Sequence, residues 1–284
     1  MNNNKDEKKL PDIIDLLLDS SLIITTNKEL YNVKVVNCND YIQVYACSKN
    51  NKKSNKNIEK LKDNKNSNNI LKDTDLLVRD NNNKSIEQKN IIRSKLECQR
   101  LAKCNISDWK TFITLTFAEN VVEIKEANKQ FRYFIDKIKR VFNEFKYIAI
   151  PEFQKRGAVH YHLLTNIDIN NNKLVYAQED NERFKHIKYW NNGFTKVDSL
   201  NDNIKKIIGY ISKYMTKDID NRLFNCHRYY YSRNLNKPIT SYLNLNNKKH
   251  LSYYMKLLDN KEIIYKNEYI NPHNNEKIIF KEFL

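Results

Sequence analysis

Ala158-Val159-His160-Tyr161-His162-Leu163-Leu164 is a short apolar run that contains two histidines one residue apart. β-Branched and aromatic residues are frequent in it and Arg156-Gly157 precedes it, which together predict a β-strand that begins after a tight turn. Side chains alternate between the two faces of a strand, so His160 and His162 are expected on one face. Two imidazoles that point the same way suit metal ligation. A pair of polar residues on a solvated face is the alternative.

The register of the preceding hairpin adds a carboxylate to this pair. A three-residue loop whose glycine takes the left-handed conformation would pair Gln154 with Ala158, and therefore Glu152 with His160. Glu152, His160 and His162 would then share one sheet face and form a three-ligand site for a divalent metal, with positions open for water and substrate. This ligand set favours Mg²⁺ or Mn²⁺, and zinc in vitro stays open. A slip of one residue would instead leave Glu152 as an ordinary surface residue.

The flanking sequence predicts further strands and helices. Ile113, Leu115 and Phe117 alternate with Thr114 and Thr116, the pattern of a half-buried strand over 111–117. Residues 126–145 repeat apolar side chains at the spacing of a helix packed on a core. Further strands are predicted at 31–36, 41–47 and 146–153, a turn leading into a strand at 190–197, and further helices at 10–24, 85–104, 181–188 and 203–217.

The charge of the chain favours an anionic partner. The formal net charge is +16, and the chain contains 18 tyrosines. Residues 1–92 hold 16 Lys and Arg against 13 Asp and Glu, while residues 93–284 hold 34 against 21, so the net charges are +3 and +13. Cations for phosphates and rings for bases together predict nucleic-acid binding, with compositional bias as the alternative. The cations assigned to DNA contact are Arg93, Arg100, Lys103, Lys155, Arg156, Arg228 and Arg233.

Cysteine usage and hydropathy predict a cytoplasmic protein. The five cysteines are odd in number and form no Cys-x-x-Cys pair, so neither a disulfide framework nor a cysteine zinc site is indicated. The N-terminus has no signal-peptide pattern, and the apolar run 13–24 is too short and too polar to span a bilayer. No membrane partner is expected.

A second stretch of chemical interest lies in the predicted helix 203–217. Tyr210 and Tyr214 are four residues apart and lie about 40° from each other around a helix axis. Lys213 and Lys217 continue the same flank. A tyrosine beside a bound metal can act as a nucleophile towards phosphate, and a neighbouring lysine can lower the phenol pKa or neutralise developing charge. The alternative is that the tyrosines cover the edge of a core while the lysines are solvated.

Three motifs in order resemble those of the HUH endonuclease superfamily. They are Thr114-Leu115-Thr116-Phe117, His160-Tyr161-His162, and Tyr210-Ile211-Ser212-Lys213-Tyr214-Met215-Thr216-Lys217. The chain looks most similar to the rolling-circle replication initiators of bacterial plasmids and single-stranded DNA phages, over residues 90–240. Tyr161 departs mildly from the family, which usually has a bulky apolar residue there, and it is expected to face away from the metal.

The resemblance implies roles for individual residues. His160 and His162 match the metal-ligating histidines, and Glu152 occupies the place of the acidic third ligand. Tyr210 and Tyr214 match the paired nucleophiles, with Lys213 and Lys217 as companions; a single-tyrosine enzyme that uses either copy is also compatible. The implied reaction is the metal-dependent nicking and joining of single-stranded or hairpin origin DNA through a 5′-phosphotyrosine. Host polymerase and helicase are the implied protein partners.

The same resemblance implies an α+β fold, with a central, mainly antiparallel sheet and flanking helices. Residues 91–240 are assigned to the endonuclease core. Residues 1–90 are assigned to an N-terminal region with a hairpin and a flexible Asn/Lys-rich segment at about 49–69, and residues 241–284 to an extension that packs on the core. A relaxase or transposase of the same superfamily and a non-catalytic single-strand binding protein are the alternative functions. A fused P-loop helicase is not indicated, because the chain has three glycines and no phosphate-loop motif.

Overall fold

A computed structural model describes residues 30–52, 86–178, 181–200, 226–271 and 275–284. Within them the chain forms two compact units. One lies within residues 93–237, and the other combines residues before 93 with residues after 237. The predicted helices at 10–24 and 203–217 lie outside the described residues, as does most of the 49–69 segment.

The described residues contain twelve strands and three α-helices. The strands are β1 (Leu30–Cys38), β2 (Tyr41–Lys52), β3 (Thr111–Thr116), β4 (Tyr147–Phe153), β5 (Val159–Thr165), β6 (Val175–Gln178), β7 (Asn181–Ile187), β8 (Thr195–Ser199), β9 (Tyr230–Tyr231), β10 (Ile239–Leu243), β11 (Ile263–Asn271) and β12 (Glu276–Phe283). The helices are α1 (Ile86–Cys104), α2 (Ile124–Val141) and α3 (Lys248–Leu258). No helix in the described part of the chain is long and apolar enough to cross a membrane.

The first unit is built on a seven-stranded antiparallel sheet in the order β6-β7-β8-β3-β5-β4-β9. One face of this sheet, the core face, packs against α2 because the alternating apolar residues of β3 and β5 meet the apolar stripe of the helix. Tyr161 lies at the centre of this packing: it is fully buried, its ring stacks on Phe131 at 4.4 Å between centroids, and its hydroxyl donates to Asn128 at 2.7 Å. The opposite face carries His160 and His162, and we call it the histidine face.

The second unit is a five-stranded sheet in the order β10-β1-β2-β12-β11. Its core joins Val33 and Val44 of the N-terminal hairpin to Leu243, Ile279 and the buried Tyr254 of α3. Residues 241–284 were assigned to an extension that packs on the endonuclease core. In the structure, the strands of this segment pair with the N-terminal hairpin, β12 with β2 and β10 with β1.

The α+β class with antiparallel sheets and flanking helices is confirmed. The hairpin β1–β2, the helix α1 and the strands β3, β4, β5 and β8 also lie where the sequence predicts them. The short helix predicted at 181–188 is wrong, because Asn181–Ile187 is strand β7. Pairing with β6 and β8 places Ile187 in the core, and this tertiary pairing outweighs local helix preference.

Gly193 allows the chain to pass close to the end of β3. A Cβ atom there would lie 2.3 Å from both the Ala118 nitrogen and the Thr116 oxygen. The contact is tight because Asn192 and Phe194 accept backbone hydrogen bonds from Ala118 and Thr116 at 2.9 and 2.8 Å. Neither side can move without breaking these bonds, so the position requires a residue without a side chain.

We predict that Gly193→Ala lowers the free energy of unfolding by about 1–3 kcal/mol or more, since the added methyl group overlaps backbone atoms. Urea unfolding followed by circular dichroism measures this loss. Asn191→Ala, at an exposed neighbour, is the control and should change stability by less than about 0.5 kcal/mol. Equal stability of Gly193→Ala and the parent would contradict the close approach.

Candidate active site

The hairpin β4–β5 has the register that the sequence predicts. Glu152 lies opposite His160, and the Gln154 nitrogen donates to the Ala158 oxygen at 2.8 Å. Gly157 closes the loop with φ of 94°, the left-handed conformation that favours glycine. Glu152, His160 and His162 therefore share the histidine face.

His162 is held from three sides. Its Nε2 atom lies 2.8 Å from Oε2 of Glu152, and its Nδ1 atom lies 3.3 Å from the Thr114 hydroxyl. The Phe112 ring stacks against the imidazole with centroids 5.7 Å apart. An ionised carboxylate only accepts hydrogen bonds, so Nε2 carries a proton, and the neutral ring accepts at Nδ1 from Thr114. The imidazole therefore has a fixed orientation.

His160 lies beside this pair in a different environment. Its Nε2 atom is buried and has no hydrogen bond to any of the described residues. Burial, with a smaller contribution from His162, lowers the pKa of His160 to about 4. The ring is therefore neutral at pH 7, which is the state in which an imidazole nitrogen can donate its lone pair to a metal.

The donor set fits a divalent metal, although the side chains are not arranged around one point. Among the described residues no three His, Cys, Asp or Glu side chains form a group that could hold an ion as they stand. Glu152 and His162 are hydrogen-bonded to each other, and the two imidazole centroids are 6.3 Å apart. The buried, unpartnered Nε2 of His160 is the observation that favours a ligand, because a buried polar atom without a partner is costly.

The cations assigned to DNA contact occupy different environments. Lys155 and Arg156 are exposed at the β4–β5 turn, where the Arg156 guanidinium donates to the Phe117 carbonyl at 2.6 Å. Arg156 therefore also ties the turn to the end of β3. Arg100 and Lys103, in contrast, are buried, with exposed fractions of 6% and 8%. Phosphate binding requires access to solvent, so their position does not suit direct contact with DNA.

Three further cations assigned to DNA lie elsewhere in the same unit. Arg93 and Arg228 are half-buried, and Arg233 is exposed beyond β9. The predicted nucleophiles and their companions, Tyr210, Tyr214, Lys213 and Lys217, lie outside the described residues.

Thr114 and Phe112 are site residues to which the sequence assigned no role. Both lie on the histidine face because Thr114 pairs with His162 and Phe112 with the following Leu164. The small hydroxyl side chains of β3 were a usable signal, since the alternation already placed Thr114 opposite the core face. The contact to His162 also required the pairing of β3 with β5, which the local pattern does not specify.

Comparison with known proteins supports a role in replication initiation. Residues 110–219 match a family model described as replication-associated protein ORF2. The chain is also 30% identical over 128 residues to the Phasyl DNA replicon protein arp of Escherichia coli, which covers 39% of this chain and 44% of that protein. The chain thus aligns with less than half the length of this curated relative. No solved structure matches the chain significantly.

We predict that His160 makes stability depend on pH in a metal-free buffer. Its pKa is about 4 in the folded chain against an ordinary value of 6.5, so the unfolded chain binds more protons at this position between those pH values. The stability contributed by the neutral ring is complete above pH 6.5 and is lost as the pH falls through about 4. Urea unfolding in EDTA at pH 7.5 and pH 5 should show a smaller loss for His160→Asn than for the parent.

His227→Asn, at an exposed histidine, is the control for this measurement and should lose as much stability as the parent. If His160→Asn showed the parent's pH dependence, the inferred environment of His160 would be incorrect.

Proposed function

We propose that this chain is a rolling-circle replication initiator that nicks and joins single-stranded origin DNA. The observation that carries the proposal is the placement of Glu152, His160 and His162 on one face of a sheet within the region that matches a replication-associated family. That region also contains Tyr210 and Tyr214. The motifs that resemble the HUH superfamily thus fall inside a replication-type segment of the chain.

Glu152, His160 and His162 are the residues that would hold Mg²⁺ or Mn²⁺. When bound, such an ion withdraws electron density from a scissile phosphate and neutralises its developing charge. Thr114 and Phe112 keep the His162 ring in place, and the burial of His160 keeps it neutral. Preorganised ligands of this kind reduce the rearrangement that ligand binding requires.

The covalent step uses a tyrosine oxygen. The phenol oxygen of Tyr210 or Tyr214 attacks phosphorus as its proton leaves, a P–O(Tyr) bond forms and the P–O3′ bond breaks. The 3′ oxygen takes up a proton. The products are a 5′-phosphotyrosine and a free 3′-hydroxyl from which a host polymerase can extend, with a host helicase opening the duplex ahead. Lys213 and Lys217 would neutralise charge on the phenol or phosphate.

Joining is the reverse transfer. A 3′-hydroxyl attacks the phosphotyrosine, the P–O(Tyr) bond breaks, and the phenol regains its proton. The energy of the phosphodiester bond is conserved in the adduct, so one strand is exchanged for another without a nucleotide cofactor. Two tyrosines allow a second strand to be held while the first is released.

We predict that the parent forms a covalent adduct with a single-stranded oligonucleotide from its replicon origin in the presence of Mn²⁺. Tyr210→Phe combined with Tyr214→Phe should abolish the adduct and leave binding of the oligonucleotide within about twofold, because only the attacking oxygen is removed. Denaturing electrophoresis detects the adduct, and mass mapping identifies the tyrosine.

Tyr133→Phe, which changes an exposed tyrosine of α2, is the matched control and should retain the adduct. An adduct that persists in the Tyr210/Tyr214 variant would refute the assignment of the nucleophiles. A parent that binds the oligonucleotide with strong salt dependence but never forms an adduct would identify a non-catalytic binding protein.

We also predict that Mn²⁺ binding depends on the histidine face. His160→Ala with His162→Ala should lower Mn²⁺ affinity at least about tenfold in a titration monitored by electron paramagnetic resonance, since two of three ligands are removed. His227→Ala should bind as the parent does. Unchanged affinity of the double variant would place any metal site elsewhere.

A further inference from the structure

We propose that Tyr176, His186 and Phe194 form a stacking platform for single-stranded DNA on the histidine face. This aromatic platform rests on the proposed function, because it deepens that function by identifying where the strand beside the scissile phosphate is held. It lies on β6, β7 and β8, strands to which the sequence analysis assigned no role in DNA binding.

Strand pairing places the platform on the histidine face. Val175 and Ile187 pair with each other and lie in the core, so the neighbouring pair Tyr176 and His186 projects to the opposite side. On β8, Val197 is in the core, and Phe194 has the opposite parity. All three aromatic side chains therefore project from the face that carries His160.

Two of the three rings are open to solvent although they are large and apolar. Phe194 is 55% exposed and Tyr176 is 49% exposed, whereas His186 beneath them is 8% exposed. The His186 ring lies 5.2 Å from the Phe194 centroid and 5.3 Å from the Tyr176 centroid. Nδ1 of His186 donates to the Thr195 carbonyl, which fixes the ring between its neighbours. The exposed rings thus rest on a rigid base.

The platform is continuous with the proposed metal site. The Thr116 nitrogen donates to the Phe194 oxygen, and Thr116 pairs with His160, which pairs with Glu152. Phe194 is therefore in the same row as His160, two strands away, or about 10 Å at the usual spacing of strands. Tyr176 lies two strands further out. A single strand of a few nucleotides spans this distance.

Charge and chemistry identify the occupant as single-stranded DNA. Residues 93–237 contain 27 Lys and Arg against 16 Asp and Glu, a net charge of +11. Lys196 projects from the same face beside Phe194 and is 46% exposed in an ion pair with Asp198. Exposed rings on a sheet face with nearby cations are the arrangement on which unpaired bases stack, and a duplex keeps its bases covered.

The test measures binding of a fluorescein-labelled single-stranded oligonucleotide of mixed sequence in EDTA, by anisotropy. Tyr176→Ala with Phe194→Ala should weaken binding about 5- to 100-fold for each ring that stacks on a base. The slope of log affinity against log salt should stay the same, since no phosphate contact is removed. Tyr176→Phe with Phe194→Tyr should bind like the parent, and Tyr133→Ala, at an exposed ring of α2, should also have no effect.

Unchanged affinity of the Tyr176→Ala/Phe194→Ala variant would overturn the proposal, as would an equal loss of affinity for the duplex form of the oligonucleotide. The adduct assay separates this result from the proposed function. A parent that forms the adduct while the alanine variant binds normally refutes the platform alone. A parent that forms no adduct but loses single-strand binding in the variant retains the platform and refutes the nuclease.

Discussion

The antiparallel register of β4 and β5 is the constraint on which the rest of the site depends. A two-residue side-chain period means that one step of slippage would turn both histidines into the core and Tyr161 out of it. Tyr161 opposes that slip, because it is fully buried, stacks on Phe131 and bonds Asn128. The polar face is thus kept in place by the apolar one, and Glu152 meets His160 because Tyr161 is anchored behind them.

The two imidazoles differ because their surroundings differ. His162 has a partner at each nitrogen and a ring stacked against it, so its orientation is fixed. His160 has a buried Nε2 with no partner among the described residues, and burial lowers its pKa to about 4. One histidine is therefore held by hydrogen bonds, and the other is kept neutral and available to a ligand. The pair combines the rigidity and the free valence that a metal site needs.

The region of similarity to replication-associated proteins, residues 110–219, falls within the seven-stranded unit. That unit also holds most of the net positive charge, the candidate metal ligands and the exposed rings of Tyr176 and Phe194. The five-stranded unit has its own core, in which the N-terminal hairpin is completed by strands from the C-terminal end of the chain. Its sheet therefore depends on both ends of the sequence, and the seven-stranded unit is inserted between them.

The sequence by itself determined the features that depend on local pattern: the hairpins β1–β2 and β4–β5, the helices α1 and α2, and the convergence of Glu152 with the two histidines. Alternation, helical spacing and glycine turn chemistry act over a few residues, so they can be read from one chain. Tertiary structure decided what depends on distant partners. Cys47 pairs with Ile278 across the chain, residues 181–187 became a strand because β6 and β8 flank them, and Thr114 reached His162 through the pairing of β3 with β5. The burial of Arg100 and Lys103 belongs to the same class, because solvent access is set by packing and not by the identity of a side chain.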